Sequence, residues 1–358
     1  MDDLNKIIGI IVLAVMIGGG VAYKMYDSGS DAVVIRGFIG GEKANFLENE
    51  KVKKILKNKY KIILEYSKSG SIEMVQNTPS DNTDFLWPSS QVALELFKIN
   101  HPQKIVKSEI ILNSPIVFYS WDLVTDALIK DEIVSKKGNS YYITDFKKLI
   151  QNISNGKKWS EIGLKELYGK ILILSTDPTK SNSGTMFAGL LANLINGDTL
   201  DETSFAEVSS SVKDYFARLG YMETSSSDLF EQYLKTGMGA KPIIAGYENQ
   251  IVEFSIEHSD FWPKVKEKIR ILYPVPTVWS SQPLIILNPK AVNLIQALQD
   301  KEIQQIAWEK HGFRTGLIGQ QNDPKILEVV GIPESITQVI PMPSPTIMEK
   351  LIKVIQSN

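Results

Sequence analysis

The stretch "GKILILSTDPTKSNSGTMFAGLLANLI" (residues 169–195) sets a strand-like apolar run before a polar turn, and a helical pattern follows. The helix is expected to begin near Ser183, preceded by small hydroxyl and amide side chains. The first turn of a helix carries N–H groups without internal partners, and the aligned peptide dipoles add partial positive charge there. Small residues let a ligand come close to those donors, so Asn182, Ser183, Gly184 and Thr185 form a candidate seat for an anion or small polar solute. The same residue types are also favoured as simple helix caps. Choosing between a seat and a cap requires the rest of the chain.

At 358 residues the chain is long for one domain and comfortable for two. A formal net charge of −2, with no basic block, gives no reason to expect a nucleic-acid partner. The absence of cysteine excludes disulfides, thiolate zinc sites, Cys nucleophiles and a lipid-modified N-terminal Cys. His101, His258 and His311 are far apart in sequence and offer little for a metal or triad site; each is expected at the surface or as a cap. No metal and no cofactor is expected.

The N-terminus carries "IIGIIVLAVMIGGGVAY" (residues 7–23), uncharged over roughly 25 Å of helix, the short end of a membrane-crossing length. It is apolar on every face and terminal, which disfavours a buried soluble helix. Gly20-Val21-Ala22 would suit signal-peptide cleavage, whereas two Asp against one Lys in "MDDLNK" suit it poorly. Residues 4–26 are therefore expected to form an uncleaved signal anchor, with the lipid bilayer as partner and the body outside the membrane. Residues 27–31 read as a spacer.

From residue 32 onward, strand-like and helix-like segments alternate, indicating an α/β body with parallel pairing and covered sheet faces. "AVVIRGFIG" ends in Gly-Gly and precedes an amphipathic helix, "NFLENEKVKKILKNK". "YKIILEYS" leads to "KSGS", and "TDFLWPSS" leads to a helix through residues 92–97. "EIILNSPIVFYS" reads as one or two strands. Residues 121–268 look mostly helical, with "GKILILS" and "AKPIIAGY" as the clear strands. "RILYPVPTVWSSQPLIILN" returns to strand character, and a helical region and a short last helix complete the chain.

Three of these stretches together resemble the type 2 periplasmic substrate-binding protein superfamily, which includes sulfate, molybdate and phosphate binders. "DPTKSNSGTMFAGLLANL" is similar to its second-lobe ligand loop, and "ILYPVPTVWSSQPLIILN" to the return crossing. "NPKAVNLIQALQDKEIQQIAWEKHGFRTG" is similar to its late helical signature. The resemblance covers residues 32–316. It implies two lobes joined by two crossings with ligand between them: residues 32–120 plus 273–358 as lobe one, and 121–272 as lobe two. It further implies an extracytoplasmic solute-binding protein that captures a small polar solute, oxyanions included, for a transporter or sensor. An interaction or assembly protein built on the same fold is the alternative.

Ligands of open α/β sheets sit beyond the carboxyl ends of strands. The candidates so placed are Gly40 and Gly41, Ser69, Gly70 and Ser71, Ser89 and Ser90, Asn182 to Thr185, and Tyr247. Arg36, Lys43, Arg218, Arg270 and Arg314 are candidate charge partners for an anion, against the usual surface role of such residues. Trp87 and Trp279 are candidates for cleft walls or for core. Glu73, Tyr247 and Glu248 would instead suit a cationic or hydroxylated ligand. Catalysis is not expected: no carboxylate pair, Gly-x-Ser-x-Gly elbow or phosphate-binding Gly-Lys-Thr is present.

Overall fold

The computed structural model describes residues 32–76 and 80–357. The anchor and spacer expected over residues 4–31 lie outside the described residues. Among the described residues no helix is long and apolar enough to cross a membrane.

The first lobe opens with β1 (Val33–Ile39), α1 (Ala44–Glu48), α2 (Glu50–Tyr60), β2 (Ile62–Lys68), α3 (Ser71–Gln76), β3 (Phe85–Trp87) and α4 (Gln91–Asn100). β1 lies between β2 and β3 and runs parallel to both. All three strands therefore end at the same edge, where Gly40, Ser69 and Ser89 follow them. The sequence pattern reads as one helix over residues 45–59, but the chain breaks at Asn49. The Asn49 side chain accepts from the Lys51 amide at 3.0 Å and starts α2 as its cap. A short amide side chain that bonds its own neighbouring backbone competes with helix continuation. β3 shows the period of two: Phe85 and Trp87 enter one apolar core and Leu86 the opposite one.

β4 (Lys107–Trp121) is a single long strand that belongs to both lobes. Its first part, from Lys107 to Pro115, pairs with β9; its last part, from Ile116 to Trp121, pairs with β7 and β8. The second lobe continues through α5 (Asp122–Lys130), β5 (Val134–Lys137), β6 (Ser140–Ile143), α6 (Phe146–Ser154), α7 (Asn182–Asn196), α8 (Phe205–Ala217), α9 (Ser226–Thr236), β7 (Ile243–Tyr247), α10 (Asn249–Glu257), α11 (Trp262–Val265) and β8 (Ile269–Pro274). The chain then returns in β9 (Trp279–Ile286), followed by α12 (Asn293–Leu298), α13 (Lys301–His311), β10 (Arg314–Thr315) and α14 (Pro345–Gln356).

Two crossings thus join the lobes, one inside β4 and one between β8 and β9. The borders expected at 120/121 and 272/273 fall inside β4 and β8, each a few residues from the change of sheet. The final helix α14 packs on α7 and α8 of the second lobe as well as on α4 of the first. Residues 170–175 run beside β7 with only Leu174 bridging Ile244; the Leu174 amide donates to Ile243 O at 2.9 Å. His311 departs from its expected surface place. It is buried against Phe46, with Nδ1 2.7 Å from Glu253 Oε1.

Candidate ligand-binding cleft

The turns after β1, β2 and β3 face the starts of α7 and α9 across a cavity of about 380 Å³. It is lined by Gly40, Gly41, Ser69, Gly70, Ser71 and Ser89 from lobe one, and by Asn182, Thr224 to Ser227 and Tyr247 from lobe two. A second hollow of about 500 Å³ adjoins it and shares Gly70, Ser71, Lys180 and Asn182.

Behind Glu42, which lines the first cavity, lies an ion pair that no sequence motif announced. Lys43 has no exposed surface, and its Nζ lies 2.5 Å from Glu42 Oε1 and 3.1 Å from Ser89 Oγ. The ammonium also stands 5.6 Å from the centre of the Trp87 ring, which is core rather than cleft wall. Ser89 Oγ donates to the same Glu42 oxygen. Gly40 makes this arrangement geometrically feasible: a Cβ there would lie 2.1 Å from Ser89 Oγ and 2.7 Å from Glu42 Oε2. Lys43 is thus held internally by its own neighbour instead of reaching an incoming anion.

Burial alone would raise the Glu42 carboxyl, but the Lys43 charge and the Lys43 and Ser89 hydrogen bonds outweigh it and hold it below its ordinary 4.5. A depressed carboxyl stabilises the fold above its ordinary pKa, and that contribution disappears as pH falls through the lower, folded value. Urea midpoints of the wild type should therefore fall more steeply on acidification below about pH 4.5 than those of a Glu42→Gln, Lys43→Met double variant. Equal slopes would remove the pair from the acid response.

Asn182 joins the lobes. Its Nδ2 donates to Ser89 O at 3.1 Å and to Tyr247 Oη at 2.9 Å. Ser89 O also accepts from Ser280 Oγ at 2.5 Å, and the Ser89 amide donates to Ser71 Oγ at 2.8 Å. Tyr247 is buried, and burial first, then the nearby Glu42 charge, pushes its hydroxyl well above the ordinary value; it stays protonated at any physiological pH.

The opening stretch divides in two. α7 begins at Asn182, and the first amide to bond inside the turn is that of Thr185, to Ser181 O at 3.0 Å. The preceding amides of Asn182, Ser183 and Gly184 are first-turn donors. The hydroxyls behave differently. Ser183 Oγ lies 2.8 Å from Thr176 Oγ1 and 2.9 Å from Ser181 Oγ, while Thr185 Oγ1 donates to Pro178 O at 2.8 Å. Both tie the turn to its own helix; neither lines the first cavity, nor does the buried Ser90, while Thr185 lines the adjoining hollow. The other charged candidates are also engaged: Arg36 with Glu65 at 2.7 Å, Arg218 with Ile153 O at 3.0 Å, Arg270 with Glu267 O at 2.8 Å, and Arg314 with Glu248. Thr224 to Ser227 were missed by sequence reading, although "TSSSD" before an apolar helix is the same kind of cap-rich start as the opening stretch.

No protein-family model matches the sequence, and no curated protein matches it. Solved structures do. Iron-bound HitA from Pseudomonas aeruginosa is 11% identical, with a TM-score of 0.58 over 90% of this chain and 98% of that one. The apo ferric ion-binding protein A of Pasteurella haemolytica is 13% identical, with a TM-score of 0.56 over 90% and 96%. The sulfate-binding protein SubI of Mycobacterium tuberculosis H37Rv is 10% identical, with a TM-score of 0.50 over 88% and 96%. At such identity the likeness speaks to architecture: the chain has the two-lobed α/β fold of the type 2 periplasmic solute-binding proteins.

Proposed function

We propose that this chain is an extracytoplasmic solute-binding protein that captures a small polar solute between its lobes and presents it to a membrane transporter or sensor. The observation that carries the reading is the cavity itself. Gly40, Gly41, Ser69, Gly70, Ser71 and Ser89 face Asn182 and Tyr247 across it, at the carboxyl ends of the strands, with one crossing in β4 and the other between β8 and β9. Contacts from both lobes to one solute exist together only when the cleft is closed, so binding would favour closure. HitA is described as iron-bound and SubI as sulfate-binding, both small charged species, which supports a small solute here. The Ser, Asn and Tyr side chains and the Gly turns that line the cavity support recognition by hydrogen bonding.

Residues 4–26 would tether the body to the membrane. Recovery of the intact N-terminal peptide from the membrane fraction, with the body open to protease on sealed cells, is the expected result. A mature chain starting near Tyr23 would show cleavage instead.

A thermal-shift screen of oxyanions, sugars, amino acids and amines tests binding. A solute present at a hundredfold excess over its Kd should stabilise the fold by about 2.7 kcal/mol, a rise in Tm of a few degrees. Silence across the panel would favour an assembly protein on the same fold.

A further inference from the structure

We propose, building on the cleft reading above, that the solute is a zwitterion. Its ammonium would be held by Glu42 and Glu73 of lobe one, and its acidic group by the hydroxyls of Thr224, Ser226 and Ser227 in lobe two.

The two walls of the cavity differ in what they offer. In lobe one the donors of Lys43, Ser69, Gly70 and Ser89 are already engaged by the chain's own carboxylates. Lys43 Nζ sits 2.5 Å from Glu42 Oε1, which also receives the Ser89 hydroxyl. Ser69 Oγ lies 3.0 Å, and the Gly70 amide 3.3 Å, from Glu73 Oε2. The Lys43 and Ser89 bonds fall on Glu42 Oε1 and the Ser69 and Gly70 bonds on Glu73 Oε2, and both carboxylates line the cavity. An oxyanion entering from this side would find four of its donors occupied and two carboxylates in its path, with Lys68 the one cation at the rim among the described residues of this lobe. An ammonium would find charged acceptors, which make hydrogen bonds roughly twice as strong as neutral ones.

In lobe two the pattern reverses. The hydroxyls of Thr224, Ser226 and Ser227 line the cavity and make no hydrogen bond among the described residues. They stand at the start of α9, beside the start of α7, where the helix dipole favours negative charge. Lys180 lines the cavity from this lobe and adds positive charge, whereas Lys68, at the end of β2, lines it from lobe one. Between the walls, Asn182 Oδ1 is buried without a partner among the described residues. The amide orientation is fixed, because Nδ2 donates at 3.1 Å to Ser89 O, a carbonyl that can only accept. That leaves one more acceptor for a donor-bearing solute. A volume of about 380 Å³ is at the small end of ligand sites and suits an amino-acid-sized molecule.

The test is calorimetry and thermal shift on the full chain with glycine, L-serine, L-glutamine, ethanolamine, sodium sulfate and sodium phosphate. The expected result is that at least one amino acid binds, that ethanolamine and the two salts bind at least about tenfold more weakly, and that Glu73→Gln weakens the amino acid by about tenfold or more. Glu73 is exposed, so this variant should fold; Glu42→Gln combined with Lys43→Met probes the second carboxylate without stranding the buried ammonium. If sulfate or phosphate binds alone and Glu73→Gln tightens it, the zwitterion is wrong while the solute-binding cleft stands. Amino-acid binding indifferent to both variants would likewise overturn the proposal. If neither these probes nor the wider screen stabilises the chain, the cleft reading itself fails.

Discussion

Glu248→Ala is expected to destabilise the protein by about 3–5 kcal/mol, the cost of leaving one partner of a buried ion pair alone. Glu248 has no exposed surface, and Arg314 grips it with two bonds, Nε to Oε1 at 2.6 Å and Nη2 to Oε2 at 3.0 Å. Tyr273 Oη donates to Glu248 Oε2 at 2.7 Å, and the remaining guanidinium donors reach Pro333 O at 2.6 Å and Glu334 O at 3.1 Å. With both carboxylate oxygens and all three guanidinium nitrogens bonded, the pair holds its low-dielectric position; without the carboxylate, a guanidinium is buried facing a void. The location adds a second consequence. Glu248 follows β7 and Tyr273 lies in β8, both in the second lobe's sheet, whereas Arg314 lies in β10, paired to the first-lobe part of β4. The network therefore ties the lobes together beside their crossings. Urea unfolding of Glu248→Ala and of a Glu248→Leu, Arg314→Met double variant checks this. The double variant should recover much of the loss, because apolar replacement of a whole buried pair is often neutral or better. A single variant within about 1 kcal/mol of wild type would show the pair to be dispensable.

Gly184→Ala should cost about 1–3 kcal/mol or more, reversing the gain of about 1 kcal/mol that alanine normally brings to a helix. A Cβ at residue 184 would lie 2.5 Å from Thr176 O, 2.8 Å from Pro178 N and 2.9 Å from the Asp177 carbonyl carbon. All three are backbone atoms, so no side-chain rotamer change can relieve the overlap. The start of α7 must move away from its own turn, and Asn182 with it, so solute affinity should fall together with stability. Gly239→Ala is the control: a Cβ there meets nothing within 4 Å, and its effect should stay within about 0.5 kcal/mol. Matching melting temperatures for the two variants would show that the turn yields freely.

Much of the architecture was legible because the parallel first-lobe strands, apolar and bounded by Gly or Ser turns, carry their period in the sequence. Gly40, Ser69 and Ser89 could be named from strand ends alone. The β5–β6 hairpin was not read, although Lys137-Gly138-Asn139-Ser140 carries its signal: a Gly-Asn turn with Gly138 at φ 60°. "GKILILS" promised a full strand, but its apolar side chains serve core burial while only Leu174 meets β7. The roles of charged residues were the least legible. Nothing local says that Lys43 is buried on Glu42, or that Arg314 and Glu248, sixty-six positions apart, satisfy one another. Those pairings are tertiary facts. The opening stretch divides its work: the hydroxyls of Ser183 and Thr185 build the turn, and Asn182 lines the cavity.

The central claim is that a small polar solute is held between the lobes. Isothermal titration of the solute found by thermal shift into wild type and Asn182→Ala tests it most directly, since Asn182 reaches Ser89 O of one lobe and Tyr247 Oη of the other. The account predicts one site per chain and about a tenfold or greater loss of affinity in the variant, which should still unfold cooperatively. Equal affinity in both proteins, or no heat from any solute in the panel, would contradict it.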